Sequence, residues 1–187
     1  MRFFRRSDDP RAFAVAMIGL KMGDRLLQIG AGDGRLLAAL GTKVGLTGRA
    51  CGVDATDDGV ARARVAAERE GVLLELQRSP NAPLPFEDAA FDVAILHDVL
   101  RDSTPEARVA AVAEAARVLR RGGRCIVLDP APRGGLGALF GGPALDPSYK
   151  PEDLLRSGGF KAVRTLAERE GLRFVEGVRS PAGSTAG

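Results

Sequence analysis

The sequence predicts a doubly wound α/β domain in which seven strands form a mostly parallel sheet with a C-terminal antiparallel hairpin. Apolar runs of strand length alternate with helix-like segments along the chain, which is typical of a mainly parallel sheet. The 187 residues suffice for one domain with a full hydrophobic core, and no internal repeat is visible. We therefore assign residues 1–179 to a single domain and expect residues 180–187 to be a disordered tail.

The first half of the chain supplies three helices and three strands. Helices are predicted over 11–22, from 34 to about 40, and over 57–70. Strands are predicted over 25–30, 49–54 and 72–77. We expect Asp57 to cap the third helix and Gly71 to end it, since short polar residues favour helix starts and glycine favours helix ends.

The second half begins with a loop over residues 78–90, because three prolines there would break a helix. A strand follows over 91–97, and Thr104 then caps a helix that has Pro105 in its first position. Helical spacing predicts an apolar face on this helix, made of Val109, Val112, Ala113, Ala116 and Leu119. Residues 120–122 are expected to end it.

The remaining segments close the sheet. A fifth strand is predicted over 124–130, and residues 131–150, rich in glycine and proline, predict a flexible and partly apolar loop. A short helix opens at Pro151 and ends at Gly158 and Gly159. Residues 160–179 read as two strands joined near Gly171, which gives the antiparallel hairpin.

The charge distribution argues against a nucleic-acid partner. The net charge is +3, and the first 25 residues carry six basic and three acidic side chains, so the rest of the chain is neutral overall. A nucleic-acid binder usually presents a basic face on the fold itself. We therefore expect a small-molecule partner, and the oligomeric state stays open.

The N-terminal segment indicates a cytoplasmic protein. The apolar run over 12–20 is far shorter than the ~20 residues that span a bilayer, and no signal peptide is evident. The basic start "MRFFRR" could contact an anionic membrane surface weakly or could simply be mobile. Cys51 and Cys125 adjoin apolar runs and are expected to be buried thiols. With His97 as the single histidine, no metal site is expected.

A glycine turn follows the first predicted strand. Gly30, Gly32 and Gly34 form G-x-G-x-G before a helix, where glycine permits positive φ and close approach of a ligand to the backbone. Asp54 ends the second strand, where an acid can accept hydrogen bonds from both hydroxyls of a ribose. Together they predict an adenosine-containing ligand. Taken one at a time, each feature has an interpretation without a ligand: the glycines could form only a tight turn, and Asp54 could be an acid at a strand end with no binding role.

The spacing distinguishes between adenosine ligands. Arg35 occupies the third glycine position of the dinucleotide pattern G-x-G-x-x-G, so that pattern fails. The turn instead resembles motif I of class I S-adenosylmethionine-dependent methyltransferases, in the ubiquinone/menaquinone-biosynthesis-like, type 11 branch. The resemblance continues through "CGVD", "LPFEDAAFDVAILHDVL", "EAARVLRRGGRCIVLDP" and "SGGFKAVRTLAEREGLRFVEGVR", and so covers nearly the whole chain.

This resemblance implies a Rossmann-like fold, S-adenosylmethionine as the cofactor, and a set of cofactor-binding positions. Gly30, Ala31, Gly32 and Gly34 would cradle the methionine part of the cofactor. Asp54 would hold the ribose diol and Ala55 would lie under the adenine. Asn81 and Ala82 would meet the adenine edge, and His97 would face the reacting sulfonium.

Two positions depart from the family pattern. Gln28 stands where members usually carry Asp or Glu, and its amide oxygen can accept a hydrogen bond but supplies no charge. We expect a loss of about 1–2 kcal/mol in cofactor affinity from this change. Pro80 stands where the family often has an acid for the adenine amino group. Asn81 could replace that acceptor, or could be a turn residue between two prolines.

The sequence does not assign the catalytic residues. His97 and Asp98 are candidates for a base at the end of the fourth strand, although a lone histidine is equally a structural or pocket-lining residue. Tyr149 could contact substrate. The apolar loop "GLGALFGG" and the lack of a substrate domain favour methyl transfer to a small, apolar or aromatic molecule. The alternative, motivated by Gln28 and Pro80, is a cofactor-binding or regulatory protein with weak or no catalysis.

Overall fold

The computed structural model describes residues 10–131, 146 and 148–180. The helices in these ranges are α1 (Pro10–Ile18), α2 (Arg35–Val44), α3 (Asp57–Glu70), α4 (Pro105–Val118) and α5 (Pro151–Ser157). The strands are β1 (Arg25–Ile29), β2 (Arg49–Asp54), β3 (Glu75–Arg78), β4 (Phe91–His97), β5 (Leu119–Pro130), β6 (Phe160–Arg169) and β7 (Leu172–Arg179).

The seven strands form one sheet in the order β3-β2-β1-β4-β5-β7-β6. Strands β1 to β5 pair in parallel, whereas β7 pairs antiparallel with both β5 and β6. The predicted fold class is therefore confirmed. The chain moves outward from β1 to β3 and then returns to β4 on the other side of β1. The direction of winding thus reverses between β1 and β4, where ligands of such sheets bind.

Helices cover both faces of the sheet. On one face, alternate residues such as Leu27 and Val127 pack with α4 and α5. On the other face, Leu26 and Ile126 pack with α1 and α2. This alternation follows from the two-residue period of a strand, and it explains why the central strands are almost continuously apolar. Cys51 and Cys125 are buried free thiols, as predicted.

Several element boundaries differ from the sequence prediction. Helix α1 ends at Ile18 rather than at residue 22, because Gly19 takes a φ of 60°. Thr56, and not Asp57, caps α3: its side-chain oxygen accepts from the Gly59 N–H. Strand β5 begins at Leu119, directly after α4, and its register with β4 shifts at a bulge opposite Asp92.

Three sequence-based expectations fall wholly or largely outside the described residues. These are the mobile or membrane-contacting start of the chain, most of the loop over 131–150, and the tail after residue 180. Within the described ranges, no helix is long and apolar enough to cross a membrane.

Candidate functional site

The carboxyl ends of β1, β2 and β4 bring most of the predicted site residues to one edge of the sheet. The glycine turn follows β1, Asp54 ends β2 and His97 ends β4. The Gly30 and Ala31 N–H groups both donate to the Val53 carbonyl, at 3.0 and 3.1 Å. The turn is therefore attached to the end of β2, next to the position between β1 and β4 where the winding of the sheet reverses.

The three glycines are required for different reasons. All have positive φ, at 83° for Gly30, 59° for Gly32 and 74° for Gly34. A Cβ on Gly30 would lie 2.4 Å from the His97 carbonyl oxygen, and one on Gly34 would lie 2.2 Å from the Ala63 Cα. A Cβ on Gly32 would meet no atom within 4 Å. Gly30 and Gly34 thus permit close packing within the protein, while Gly32 leaves open space.

Asp54 connects the glycine turn to the start of α3. Its Oδ2 accepts from the Gly32 N–H at 3.2 Å, and its Oδ1 accepts from the Thr56 N–H at 3.0 Å and hydroxyl at 2.7 Å. Burial acts to raise the pKa of Asp54, but these hydrogen bonds and the charge of Arg62 outweigh it and lower the pKa. The carboxylate is therefore ionised, with three of about four acceptor positions in use.

The sequence missed the two residues that support this carboxylate. Thr56 caps α3 while donating to Asp54, and Arg62 Nε donates to the Gly32 carbonyl at 3.2 Å. A threonine placed between a strand-end acid and a helix was the signal for the first. No local pattern marks the second, since Arg62 and Gly32 are far apart in the sequence.

Gln28 and His97 form a hydrogen bond beneath the glycine turn. The Gln28 side chain is fully buried, and its Nε2 lies 2.9 Å from the Gly30 carbonyl oxygen and 3.1 Å from His97 Nδ1. Its Oε1 is buried without a hydrogen-bond donor among the described residues. Burial lowers the pKa of His97, although the charges of Asp98 and Asp33 act to raise it. The imidazole is therefore neutral near pH 7.

The loop over 78–90 lies beside Asp54. The Ser79 N–H donates to the Asp54 carbonyl at 2.9 Å, which fixes the start of the loop against the end of β2. Asn81 and Ala82 are half-buried, Ala55 is exposed, and the Asn81 amide makes no hydrogen bond to another described residue. The structure thus brings this loop to the same edge as Asp54 and leaves the Asn81 amide available.

A second polar cluster, at the end of β5, was missed apart from Tyr149. Asp129 is 4% exposed, and its Oδ2 accepts from the Tyr149 hydroxyl at 2.5 Å. Its Oδ1 has no donor among the described residues. Burial raises the pKa of Asp129 to about 6, against the hydrogen bond from Tyr149. Arg108 lies over the Tyr149 ring, 4.6 Å from its centroid, and pairs with Asp146 at 2.6 Å.

This cluster lies on the other face of the sheet from Gln28 and His97. Strand alternation places Asp129 on the face packed by α4 and α5, where Tyr149 also packs, whereas Gln28 and His97 belong to the α1 and α2 face. The exposed Asp98 follows β4 with a φ of 53°. The catalytic candidates therefore do not form one group: His97 pairs with Gln28, and Tyr149 pairs with Asp129.

Comparison with known proteins shows which family the chain matches. Residues 27–127, from within β1 to within β5, match the family described as "Methyltransferase domain". The chain is similar to the chloroplastic 2-phytyl-1,4-beta-naphthoquinone methyltransferase of Arabidopsis thaliana, with 34% identity over 123 residues, which cover 62% of this chain and 45% of that protein.

Two further similarities extend over most of the chain. The ubiquinone/menaquinone biosynthesis C-methyltransferase UbiE of Paraburkholderia phymatum is 29% identical over an alignment of 195 residues, which covers 94% of this chain and 78% of that protein. The crystal structure of a SAM-dependent methyltransferase from Aquifex aeolicus has the same fold, with a TM-score of 0.76, 20% identity, and coverage of 91% of this chain and 89% of that chain. The chain spans about half the length of the other curated relatives it matches, including the chloroplastic enzyme.

Proposed function

The chain belongs to the methyltransferase domain family, since the match covers more than half of its residues, and we propose that it transfers a methyl group from S-adenosylmethionine to a small, apolar or aromatic acceptor. Family membership implies S-adenosylmethionine as the cofactor. When bound, this cofactor supplies a methyl group already activated by a sulfonium. The protein's task is then mainly to position the two reactants, because orientation supplies much of the rate of such a transfer.

The observation that carries this proposal is the open space at Gly32 beside the Asp54 carboxylate. Gly32 has the positive φ of a glycine turn, and a Cβ there would meet no protein atom within 4 Å. Asp54 is ionised and retains acceptor capacity on Oδ2. A thin backbone next to an acceptor suits the methionine and ribose parts of the cofactor. Gly30, Ala31 and Gly34 would complete this cradle.

The donors and acceptors around the cradle also fit the cofactor. The buried Gln28 Oε1, which has no donor among the described residues, is an acceptor suited to an ammonium group. Asn81, whose amide makes no hydrogen bond to another described residue, and Ala82 would meet the adenine edge, while Ala55 would lie under the ring. His97 would border the reacting sulfonium.

The class of methyl acceptor is proposed from the relatives. Two of them carry names for quinone methylation, namely UbiE and the chloroplastic naphthoquinone enzyme. These names favour an aromatic acceptor of the quinol type among the small, apolar or aromatic molecules expected from the sequence. The cytoplasmic location and the weak membrane contact stay predictions.

Calorimetric titration with S-adenosylmethionine and S-adenosylhomocysteine tests the cofactor site. Gly32→Ala should abolish or reduce binding at least tenfold, because its methyl group would fill space reserved for the ligand. Gly71→Ala is the matched control: Gly71 has a φ of 63° and no atom within 4 Å of an added Cβ, but it ends α3 away from the site. Equal binding by both variants would contradict the proposed site, and no binding by the wild type would contradict the proposed function.

The alternative is a cofactor-binding or regulatory protein with weak or no catalysis. Gln28 and Pro80 favour it, since each lacks the carboxylate that family members usually carry there. Tight binding without turnover of a reduced 1,4-naphthoquinone or other aromatic acceptors would support this alternative. Gln28→Asp should then bind S-adenosylmethionine more tightly than the wild type if the missing charge limits affinity.

A further inference from the structure

The hydrogen bond between Gln28 and His97 joins two strand ends that the sequence separates by 69 residues. Gln28 pairs with Ile95 of β4, and Ile29 pairs with Leu96, so the end of β1 lies directly against the end of β4. Gln28, the residue before the last one of β1, is fully buried. The contact is therefore built into the sheet and does not depend on a surface side chain.

The positions of the acceptors determine which atoms carry hydrogen. The Gly30 carbonyl oxygen can only accept, so the Gln28 group that lies 2.9 Å from it must be the amide NH₂. That same nitrogen lies 3.1 Å from His97 Nδ1, and its second hydrogen points to a hydrogen-bond acceptor there. Nδ1 therefore carries no proton, and a neutral imidazole then carries its proton on Nε2.

A charged imidazolium would place an Nδ1–H against the NH₂ group of Gln28, so that two donors would face each other. The charged groups near the ring, Asp33 after β1 and Asp98 after β4, favour protonation, whereas burial opposes it. A carboxylate at position 28 would add a third negative charge and an acceptor for Nδ1–H. The amide at this position thus selects the neutral ring where an acid would select the charged one.

We propose that Gln28 is a positioning residue that holds His97 as a neutral imidazole protonated on Nε2, so that His97 meets a ligand at this edge of the sheet as a hydrogen-bond donor. In this arrangement Nδ1 is already engaged and is not free to accept a proton from a substrate. The statement about the ligand rests on the proposed function; the statement about the pair does not. The replacement of the usual acid by Gln28 thereby determines the protonation and tautomer of His97, which lies 69 residues away in the sequence.

Nitrogen-15 NMR of histidine-labelled protein tests this directly, because the chain contains a single histidine and needs no assignment. At pH 7 the wild type should show Nδ1 with the shift of an unprotonated nitrogen and Nε2 with that of a protonated one. Gln28→Glu should raise the midpoint of the His97 titration by at least one pH unit. Gln77→Glu makes the same change at an exposed site on β3 and should leave the midpoint unchanged.

A second substitution keeps the test valid if the buried glutamate prevents folding. Gln28→Met removes the donor at similar size, and it should replace the single Nε2–H tautomer by a mixture of both. A wild type protonated on Nδ1, or one in which Gln28→Glu and Gln28→Met leave tautomer and midpoint unchanged, would overturn the proposal. Repeating the measurement with saturating S-adenosylhomocysteine should preserve the Nε2–H signal, and a switch to Nδ1–H or to imidazolium would overturn the donor role.

The failure of this inference is distinguishable from failure of the proposed function. The NMR signature of the free protein requires no cofactor, whereas calorimetry with S-adenosylmethionine reports the cofactor site alone. If the ring is neutral and protonated on Nε2 but the protein binds no cofactor, the inference about Gln28 and His97 stands and the proposed methyltransferase function is contradicted. If the protein binds the cofactor but the ring is charged, the proposed function stands and the inference about Gln28 and His97 is contradicted.

Discussion

At the scale of single residues, Gly34 illustrates how the glycine turn is fixed against the rest of the protein. A Cβ at this position would lie 2.2 Å from the Cα and 2.9 Å from the Cβ of Ala63, so α3 would have to move away from the turn. The φ of 74° adds the strain that an L-residue carries in the left-handed region. The turn and α3 can therefore pack in direct contact only because residue 34 has no side-chain methyl group.

Gly34→Ala should consequently destabilise the fold by about 3 kcal/mol, from overpacking together with backbone strain. Gly159→Ala is the control, since Gly159 has a φ of 84° and no atom within 4 Å of an added Cβ. It should lose only about 1 kcal/mol, from strain alone. Urea unfolding of the three proteins measures both values, and equal losses would show that the contact with Ala63 costs nothing.

In the candidate site, the sequence predicts best those positions whose backbone conformation or location admits only one type of residue. The three glycines and Asp54 follow from the local pattern of a strand, a turn and a helix. The Gln28–His97 bond does not, because it joins residues on different strands whose register the sequence does not state. The sequence marked Gln28 as a departure and His97 as a candidate, but only the structure places them in contact.

At the scale of elements, α4 shows why a helical face can be misassigned from sequence. The predicted face included Val109, which is 58% exposed, while Arg108 is buried beside Ala111 and Val112. The Arg108 guanidinium donates to the Leu100 and Arg101 carbonyls, each at 2.8 Å, and also pairs with Asp146. A charged residue is rarely buried unless it is paired, and its partners here are not visible in the helical pattern.

Arg108→Met should cost about 2–4 kcal/mol of stability, because it removes an ion pair, one of the two donors to the Leu100 carbonyl, and the donor to the Arg101 carbonyl. Val109→Ala, one residue along the same helix, should change stability by no more than about 0.5 kcal/mol. Thermal or urea unfolding of both variants is sufficient. If Val109→Ala is the more damaging change, the face given by the structure is wrong.

For the other elements, the accuracy of the predicted boundaries depended on whether the residues that determine them are close in sequence. Strands β2 and β4 were predicted with their observed limits and helix α3 with its observed end, because apolar runs and end signals bracket them closely. Strand β5 was predicted too short, since the glycines at 122 and 123 suggest a turn. Its pairing with β4 instead extends to Leu119 through a bulge. Long-range pairing, which a local pattern cannot report, decides such limits.

At the scale of the whole molecule, two acids at opposite edges of the sheet, Asp92 and Asp129, have pKa values shifted in opposite directions. At the amino edge, Asp92 accepts from Arg25 and from Arg120, and these bonds outweigh the effect of burial and lower its pKa to about 2. At the carboxyl edge, burial raises the pKa of Asp129 to about 6. Asp92 is thus stabilised as an ionised acid, whereas Asp129, at the edge that carries the candidate site, costs stability when ionised.

The two acids should give stability opposite dependences on pH. Asp92 has a folded pKa below the ordinary value of about 3.9, so its contribution is present above pH 4 and falls as pH drops toward 2. Asp129 has a folded pKa above that value, so its contribution is full below about pH 4 and is lost as pH rises through 6. Each pKa differs from the ordinary value by about two units, which corresponds to about 2–3 kcal/mol in each case.

Urea unfolding between pH 3 and 8, carried out on the wild type, Asp92→Asn and Asp129→Asn, separates these contributions because asparagine does not titrate. Asp92→Asn should be less stable than the wild type by about 2 kcal/mol at pH 6, and roughly half of that deficit should vanish by pH 3. Asp129→Asn should gain about 2 kcal/mol relative to the wild type between pH 4 and pH 7, since over most of that range the unfolded chain releases the Asp129 proton while the folded wild type retains it. A constant difference between Asp129→Asn and the wild type across that range would mean that Asp129 ionises as readily in the folded protein as in the unfolded chain. The polar cluster with Tyr149 would then impose no cost on the edge of the sheet that carries the site.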